Sequence, residues 1–146
     1  EQLLEALAAD FDVKEEGTEI YKPGKLHEFS MYLDGKWYKV KFHASLCQAE
    51  RAVDRLDCAI LQKHFLSAIM GIDDPRSDKR IDFAGGIRGL AYLEERCTQD
   101  MQMAISMYPT SLGELMDVAD NGDIMPPKST WFEPKLLSGL FIHQLK

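Results

Sequence analysis

The 146-residue chain lacks several features that would assign it to a broad class of proteins. It has no run of roughly eighteen or more apolar residues, so we expect no membrane-spanning helix and no membrane partner. Its three cysteines, Cys47, Cys58 and Cys97, form no C-x-x-C pair, which argues against a disulfide framework and against a zinc knuckle. Free thiols are typical of a reducing compartment, and we therefore predict a cytoplasmic protein.

Positive charge is also scarce. Lys and Arg number 17 against 24 Asp and Glu, which gives a formal net charge of −7. Nucleic-acid phosphates are bound by basic surfaces, so we predict no nucleic-acid partner. The hydrophobic share of 45% is that of a globular chain able to bury a core. The length corresponds to a single domain, with a helix and hairpin part over 1–42 and an α/β part over 43–146.

Hydrophobic periodicity predicts an α+β or α/β fold with helices packed on a mixed β-sheet. The best-defined element is a hairpin, in which alternating residues 27–33 and β-forming residues 37–42 flank the turn Asp34–Gly35. Residues 81–84, 87–97 and 103–108 are predicted to form one parallel βαβ unit.

Other elements follow from similar patterns. Helices are predicted at 1–10, 52–70 and 112–119, and a last strand at 139–145. Ser111 and Glu114 have the spacing of a capping box at the start of the third of these helices. The polar stretch with Gly17 and Pro23–Gly24 is predicted to be a connector.

A glycine-rich turn, Ala84–Gly89, is the first candidate site. The backbone N–H groups of Gly85 and Gly86 would lie at the positive end of the following helix, and Arg88 would add a guanidinium. Such a combination binds anions, although the turn has neither a dinucleotide fingerprint nor a P-loop lysine. The alternative is a tight turn that requires positive φ.

A proline-stiffened loop over 125–135 is the second candidate. Its polar side chains suit a phosphate or a carboxylate: Lys128, Ser129, Thr130 and Lys135. Trp131 and Phe132 would stack on a base. The alternative is that these aromatic rings pack into the core while the polar groups satisfy a long loop.

The third candidate is a charged loop over 73–82. Four carboxylates there would hold a magnesium ion beside a substrate phosphate: Asp73, Asp74, Asp78 and Asp82. Lys79 and Arg80 would neutralise that phosphate. The alternative is a solvated loop that turns at Asp74–Pro75. The four histidines are interpreted as partly buried residues without a catalytic role.

Four segments resemble one prokaryotic family, catalogued as domain of unknown function 1015: Ile69–Arg76, Asp78–Ile81, Gly85–Gly86 and Met125–Lys135. The resemblance covers most of the chain from about His43 onward, and the hairpin is similar to the family's middle region. Members are longer, and their N-terminal half carries an Asp-Gly-His-His-Arg motif similar to that of ParB-like domains and free-serine kinases. No two histidines are adjacent in this chain, so it lacks that motif.

The resemblance implies that the chain is the C-terminal domain of a longer protein, with the N-terminal half as its partner. It further implies part of a small-molecule kinase that uses ATP or ADP, and serine is one candidate substrate. Together with the three candidate loops, this leads us to expect phosphate and substrate contacts at Arg80, Gly85, Gly86, Arg88, Lys128, Ser129, Thr130 and Lys135. Asp78 or Asp82 would be the catalytic carboxylate and would approach a magnesium ion.

A non-enzymatic scaffold, whose loops pack the two halves together, is the alternative function. If a partner half covers this domain, the chain alone would expose apolar surface. We expect the Leu3–Leu7 helix and the Trp37–Phe42 hairpin to form it, and a homodimer to bury it.

Overall fold

A computed structural model describes residues 2–130 of the chain. Its centre is a four-stranded sheet in the order β1-β3-β2-β4. The strands are β1 Phe11–Gly17, β2 Glu28–Leu33, β3 Lys36–Phe42 and β4 Met103–Met107. The helices are α1 Gln2–Leu7, α2 Asp57–Leu61, α3 Leu90–Gln99 and α4 Leu112–Asp120. The predicted α+β class is confirmed, and no helix in this part of the chain could cross a membrane.

The predicted hairpin and capping box are confirmed. β2 and β3 pair from Glu28↔Lys41 to Leu33↔Lys36. Asp34 and Gly35 both adopt positive φ, as a two-residue hairpin turn requires. At the start of α4, the Ser111 side chain accepts from the Glu114 backbone, and the Glu114 side chain accepts from the Ser111 backbone.

The predicted parallel βαβ unit is wrong. Each strand pair within 2–130 is antiparallel, and β4 pairs with β2 rather than with residues 81–84, which form no strand. The reason is that this short run cannot bury both its faces, as a parallel strand must. Asp82 is exposed and pairs with Arg96 of α3, and Phe83 is exposed as well.

The predicted connector after α1 contains a strand that the sequence interpretation missed. β1 lies at an edge of the sheet and pairs antiparallel with β3. Phe11 and Val13 pack in the core. The remaining residues are mostly charged, as is common on edge strands, where charge discourages pairing with other chains. That composition conceals the two-residue alternation.

The predicted helix over 52–70 is interrupted. A 3-10 turn spans Val53–Arg55, Leu56 is extended, α2 begins at Asp57, and the chain continues through Gln62–Ser67 with π-type hydrogen bonding. The α2 segment packs on the apolar face of the sheet, and the two form the main hydrophobic core. This core comprises Leu7, Phe11, Phe29, Met31, Tyr38, Val40, Phe42, Ile60, Leu61 and Phe65.

The hairpin does not present the surface expected for a homodimer. Trp37 is fully buried on the other face of the sheet, where its ring centroid lies 5.1 Å from that of Tyr32. Its Nε1–H donates to Glu94 Oε1 of α3 at 2.7 Å. Leu3 and Leu4 pack against the core. The expected exposure of these elements is therefore wrong, and the homodimer itself stays a prediction.

We expect Phe29→Ala to lower the free energy of unfolding by about 3–5 kcal/mol, because it removes a fully buried ring and leaves a cavity. The Phe29 ring lies 5.5–6.5 Å from those of Phe11, Phe42 and Phe65. Urea unfolding measures the change. Leu112→Ala, at a side chain 70% exposed, is the control and should stay within about 0.5 kcal/mol of the parent. Equal losses in the two variants would contradict this core.

Candidate functional site

The charged loop 73–82 is held together by its own ion pairs. Asp78 pairs with Arg80, whose guanidinium also donates to the backbone carbonyls of Met70 and Gly71 at 3.1 and 2.8 Å. Asp82 accepts from Arg96 at 2.8 Å. These arginine hydrogen bonds lower the pKa of both aspartates. Within 2–130, no group of three or more His, Cys, Asp or Glu side chains could hold a metal ion.

The glycine turn has a different backbone from the one expected. Gly85 is extended, Gly86–Arg88 forms a 3-10 turn, and positive φ occurs at Gly89, immediately before α3. The alternative interpretation therefore holds for Gly89 and not for Gly85 or Gly86. Arg88 is exposed, and its Cζ lies 4.7 Å from the centroid of the Tyr92 ring, one turn into α3.

The described part of the second loop, up to Thr130, folds against the start of α4. Ser129 Oγ donates to the Pro126 carbonyl at 2.6 Å, and Thr110 Oγ1 donates to the Ser129 carbonyl at 3.5 Å. Lys128 is exposed and has positive φ. The remaining predicted residues of this loop, Trp131, Phe132 and Lys135, lie outside the described residues.

The topology brings the loop 125–130 towards one edge of the sheet, the edge formed by the ends of its strands. β2 begins and β4 ends there, because Phe29 pairs with Met107. The loop 125–130 accepts a hydrogen bond, at the Ser129 carbonyl, from the hydroxyl of Thr110, which lies three residues beyond β4. No hydrogen bond or ion pair among the described residues joins this loop directly to the glycine turn.

The same edge holds a histidine–aspartate pair that the sequence interpretation did not identify. His27 directly precedes β2, and Asp57 is the first residue of α2. Asp57 Oδ2 accepts the His27 backbone N–H at 2.8 Å, and Oδ1 lies 2.7 Å from His27 Nδ1. Burial raises the pKa of Asp57, an effect that the His27 hydrogen bonds oppose. His27 has φ of 64°, an uncommon conformation for a residue other than glycine.

The segment before His27 is held by a buried carboxylate. Glu28 Oε1 accepts from the Tyr21 hydroxyl at 2.6 Å and from the Gly24 N–H at 2.9 Å, while Oε2 lies 2.9 Å from Lys39 Nζ. Burial alone would raise the pKa of Glu28. The hydrogen bonds from Tyr21 and Gly24, together with Lys39, lower it to about 2.

Sequence separation hid the histidine–aspartate pair, since His27 and Asp57 are 30 residues apart. The sequence around Asp57 nevertheless contains one indication of a buried aspartate. Asp57 stands between Leu56 and Cys58 at the start of an apolar helix, where an aspartate must find donors if it is buried. The pattern does not indicate which donors those are.

Comparisons of the chain with protein-family models, curated proteins and solved structures find no match. The family resemblance of the charged, glycine and proline segments therefore stays a prediction.

Because Tyr21, Gly24 and Lys39 stabilise the ionised form of Glu28, we predict that the protein loses stability in acid. The folded-state pKa of about 2 lies below the ordinary value of 4.5. The ionised carboxylate therefore stabilises the fold above about pH 5, and this contribution is lost as the pH falls towards 2. The shift corresponds to about 3 kcal/mol. We expect Glu28→Gln to flatten the slope of unfolding free energy against pH over this range, as measured by urea unfolding. Glu19→Gln, at an exposed position, should leave it intact, and a slope unchanged in both variants would contradict the prediction.

Proposed function

We propose that this domain binds the anionic part of a small substrate, a phosphate or a carboxylate, at the edge where β2 begins and β4 ends. The observation that supports the proposal is that the Arg88 guanidinium has no polar partner among the described residues. All six arginines lie within 2–130, and the side chains of five donate hydrogen bonds there: Arg51, Arg55, Arg76, Arg80 and Arg96. The Arg88 backbone N–H donates to the Gly85 carbonyl at 3.0 Å, whereas the Arg88 guanidinium has no hydrogen bond or ion pair with any described residue.

The surroundings of Arg88 suit anion binding. Stacking on Tyr92 restricts the plane of the guanidinium, so less freedom is lost when its donors meet an acceptor. The backbone N–H groups at the start of α3 lie next to it in the chain and carry the positive end of the helix dipole. In a chain of net charge −7, such local donors must overcome a general repulsion of anions.

The family resemblance supports a reaction class for this site. It implies phosphoryl transfer from ATP or ADP to a small molecule such as serine, with the nucleotide motif in another half of the protein. Phosphoryl transfer depends mainly on positioning and electrostatic stabilisation, to which Arg88 and Lys128 would contribute.

A scaffold function is the second candidate, and it has its own observation. α4 exposes Leu112 and Met116 on one side, and Ile124 beyond it is 87% exposed. Exposed apolar groups of this kind are common at protein contacts. A scaffold would bind its partner through these side chains and would not need Arg88.

We expect Arg88→Ala to weaken pyrophosphate binding by about 10- to 100-fold, the loss typical of charge-assisted hydrogen bonds. Isothermal titration calorimetry measures the affinity. Arg76→Ala is the matched control: it removes the same charge from an exposed arginine that is paired with Asp74, and it should bind normally. Equal affinities in the parent and Arg88→Ala would refute the anion site and favour the scaffold function.

The chain alone should transfer no phosphoryl group from ATP or ADP to serine, because it lacks the donor-handling motif that the resemblance implies. Phosphorus NMR of the reaction mixture tests this. Turnover that Lys128→Ala abolishes would place the complete catalytic site in this chain and contradict the expectation.

A further inference from the structure

The geometry points to His27 and Asp57 as a proton-transfer site, in which His27 Nε2 accepts the proton of a substrate hydroxyl. This inference rests on the proposed function for its substrate class, a hydroxyl compound that also carries an anionic group. The arrangement of the two side chains is its independent support.

Asp57 determines which ring nitrogen of His27 carries the proton. Its two carboxylate oxygens face two groups of the same residue, the backbone N–H and Nδ1. An ionised carboxylate can only accept hydrogen bonds, so Nδ1 must be the protonated nitrogen. In the neutral ring this leaves the lone pair on Nε2, the state that a general base requires.

In this pair the aspartate is buried and the histidine ring is accessible to solvent. The Asp57 carboxylate is 7% exposed, whereas the His27 side chain is 41% exposed. The His27 backbone is fixed on both sides, since its N–H donates to Asp57 and its carbonyl accepts from the Phe42 N–H at 3.0 Å. No described residue hydrogen-bonds to Nε2. A buried carboxylate behind an accessible imidazole can stabilise the imidazolium that forms when the proton arrives.

Two other histidine–aspartate pairs lack these properties. His43 uses Nε2 itself, 3.3 Å from an Asp12 carboxylate that is 71% exposed. His64 Nδ1 lies 2.8 Å from Asp10, whose carboxylate is 38% exposed and has no bond to the His64 backbone. Because solvent weakens both pairs, these histidines serve as internal controls for His27.

The proton moves together with the phosphoryl group. The hydroxyl oxygen forms a bond to the terminal phosphorus of a nucleoside polyphosphate while its proton passes to His27 Nε2. The bond between that phosphorus and the bridging oxygen breaks, and its electron pair remains on the departing nucleotide. The imidazolium, held by Asp57, later returns the proton to solvent.

The tautomer is the first test. Long-range proton–nitrogen NMR at pH 7.5 should show the proton of neutral His27 on Nδ1. In Asp57→Asn, the single amide oxygen must accept the backbone N–H, so the amide NH2 faces Nδ1 and the proton moves to Nε2. A wild-type His27 with its proton on Nε2, or fully protonated, overturns the proposal even if the variant does not fold.

Chemical modification is the second test. Diethyl pyrocarbonate reacts with the Nε2 lone pair, and peptide mass spectrometry follows each histidine separately. We expect the His27 rate to fall at least tenfold in Asp57→Asn, while the His43 and His64 rates stay the same. An unchanged His27 rate in the folded variant counts against the proposal.

Substrate placement is the third test, with glycerol 3-phosphate as a probe that carries both a phosphate and hydroxyls. It should slow carbethoxylation of His27 at least fivefold in the parent chain and not in Arg88→Ala. If pyrophosphate binds through Arg88 but the probe does not protect His27, this inference fails while the proposed function stands. If neither ligand binds, the proposed function fails, and the tautomer still reports on the pair.

Discussion

The two hydrogen bonds between Asp57 and His27 connect α2 to the central sheet. One carboxylate at the start of α2 accepts two hydrogen bonds from the residue that precedes β2, and these bonds add to the apolar packing of Ile60, Leu61 and Phe65 on the sheet. Burial costs an ionised carboxylate its hydration, and the two donors of His27 replace part of it. The predicted 52–70 helix is interrupted at the same place, where Leu56 is extended and α2 begins at Asp57.

Electrostatic pairing determines which residues of this acidic chain remain available to a ligand. The charged loop looked like a metal and phosphate site in the sequence, yet its arginines and aspartates neutralise one another over two-residue separations. Arg96 bridges Asp82 and Asp100 beside the same tyrosine ring that Arg88 stacks upon. Asp82 feels the charge of Arg88 but is paired with Arg96, so Arg88 is distinguished by a guanidinium without an ion pair rather than by its position in a glycine turn.

The elements that could be predicted are those specified within a few residues. The hairpin depends on Asp34–Gly35, and the start of α4 depends on Ser111 and Glu114, so local chemistry suffices for both. β1 was missed because an edge strand needs few apolar residues, and 81–84 was overpredicted because apolar content alone does not provide a pairing partner. The histidine–aspartate pair could not be predicted, because His27 and Asp57 are 30 residues apart and only the packing of α2 on the sheet brings them together.

The two faces of the sheet explain why a polar site can lie at this edge. One face carries the phenylalanine core, and residues alternate so that the other face presents Glu28, Ser30 and Lys39 from the central strands. α3 contacts that second face through Glu94 at Trp37, at the end of the hairpin near its turn. The opposite end is held by hydrogen bonds to Glu28, which also fix the segment leading into His27. A buried carboxylate on each side of the sheet, Glu28 and Asp57, thus fixes the chain on both sides of one accessible imidazole.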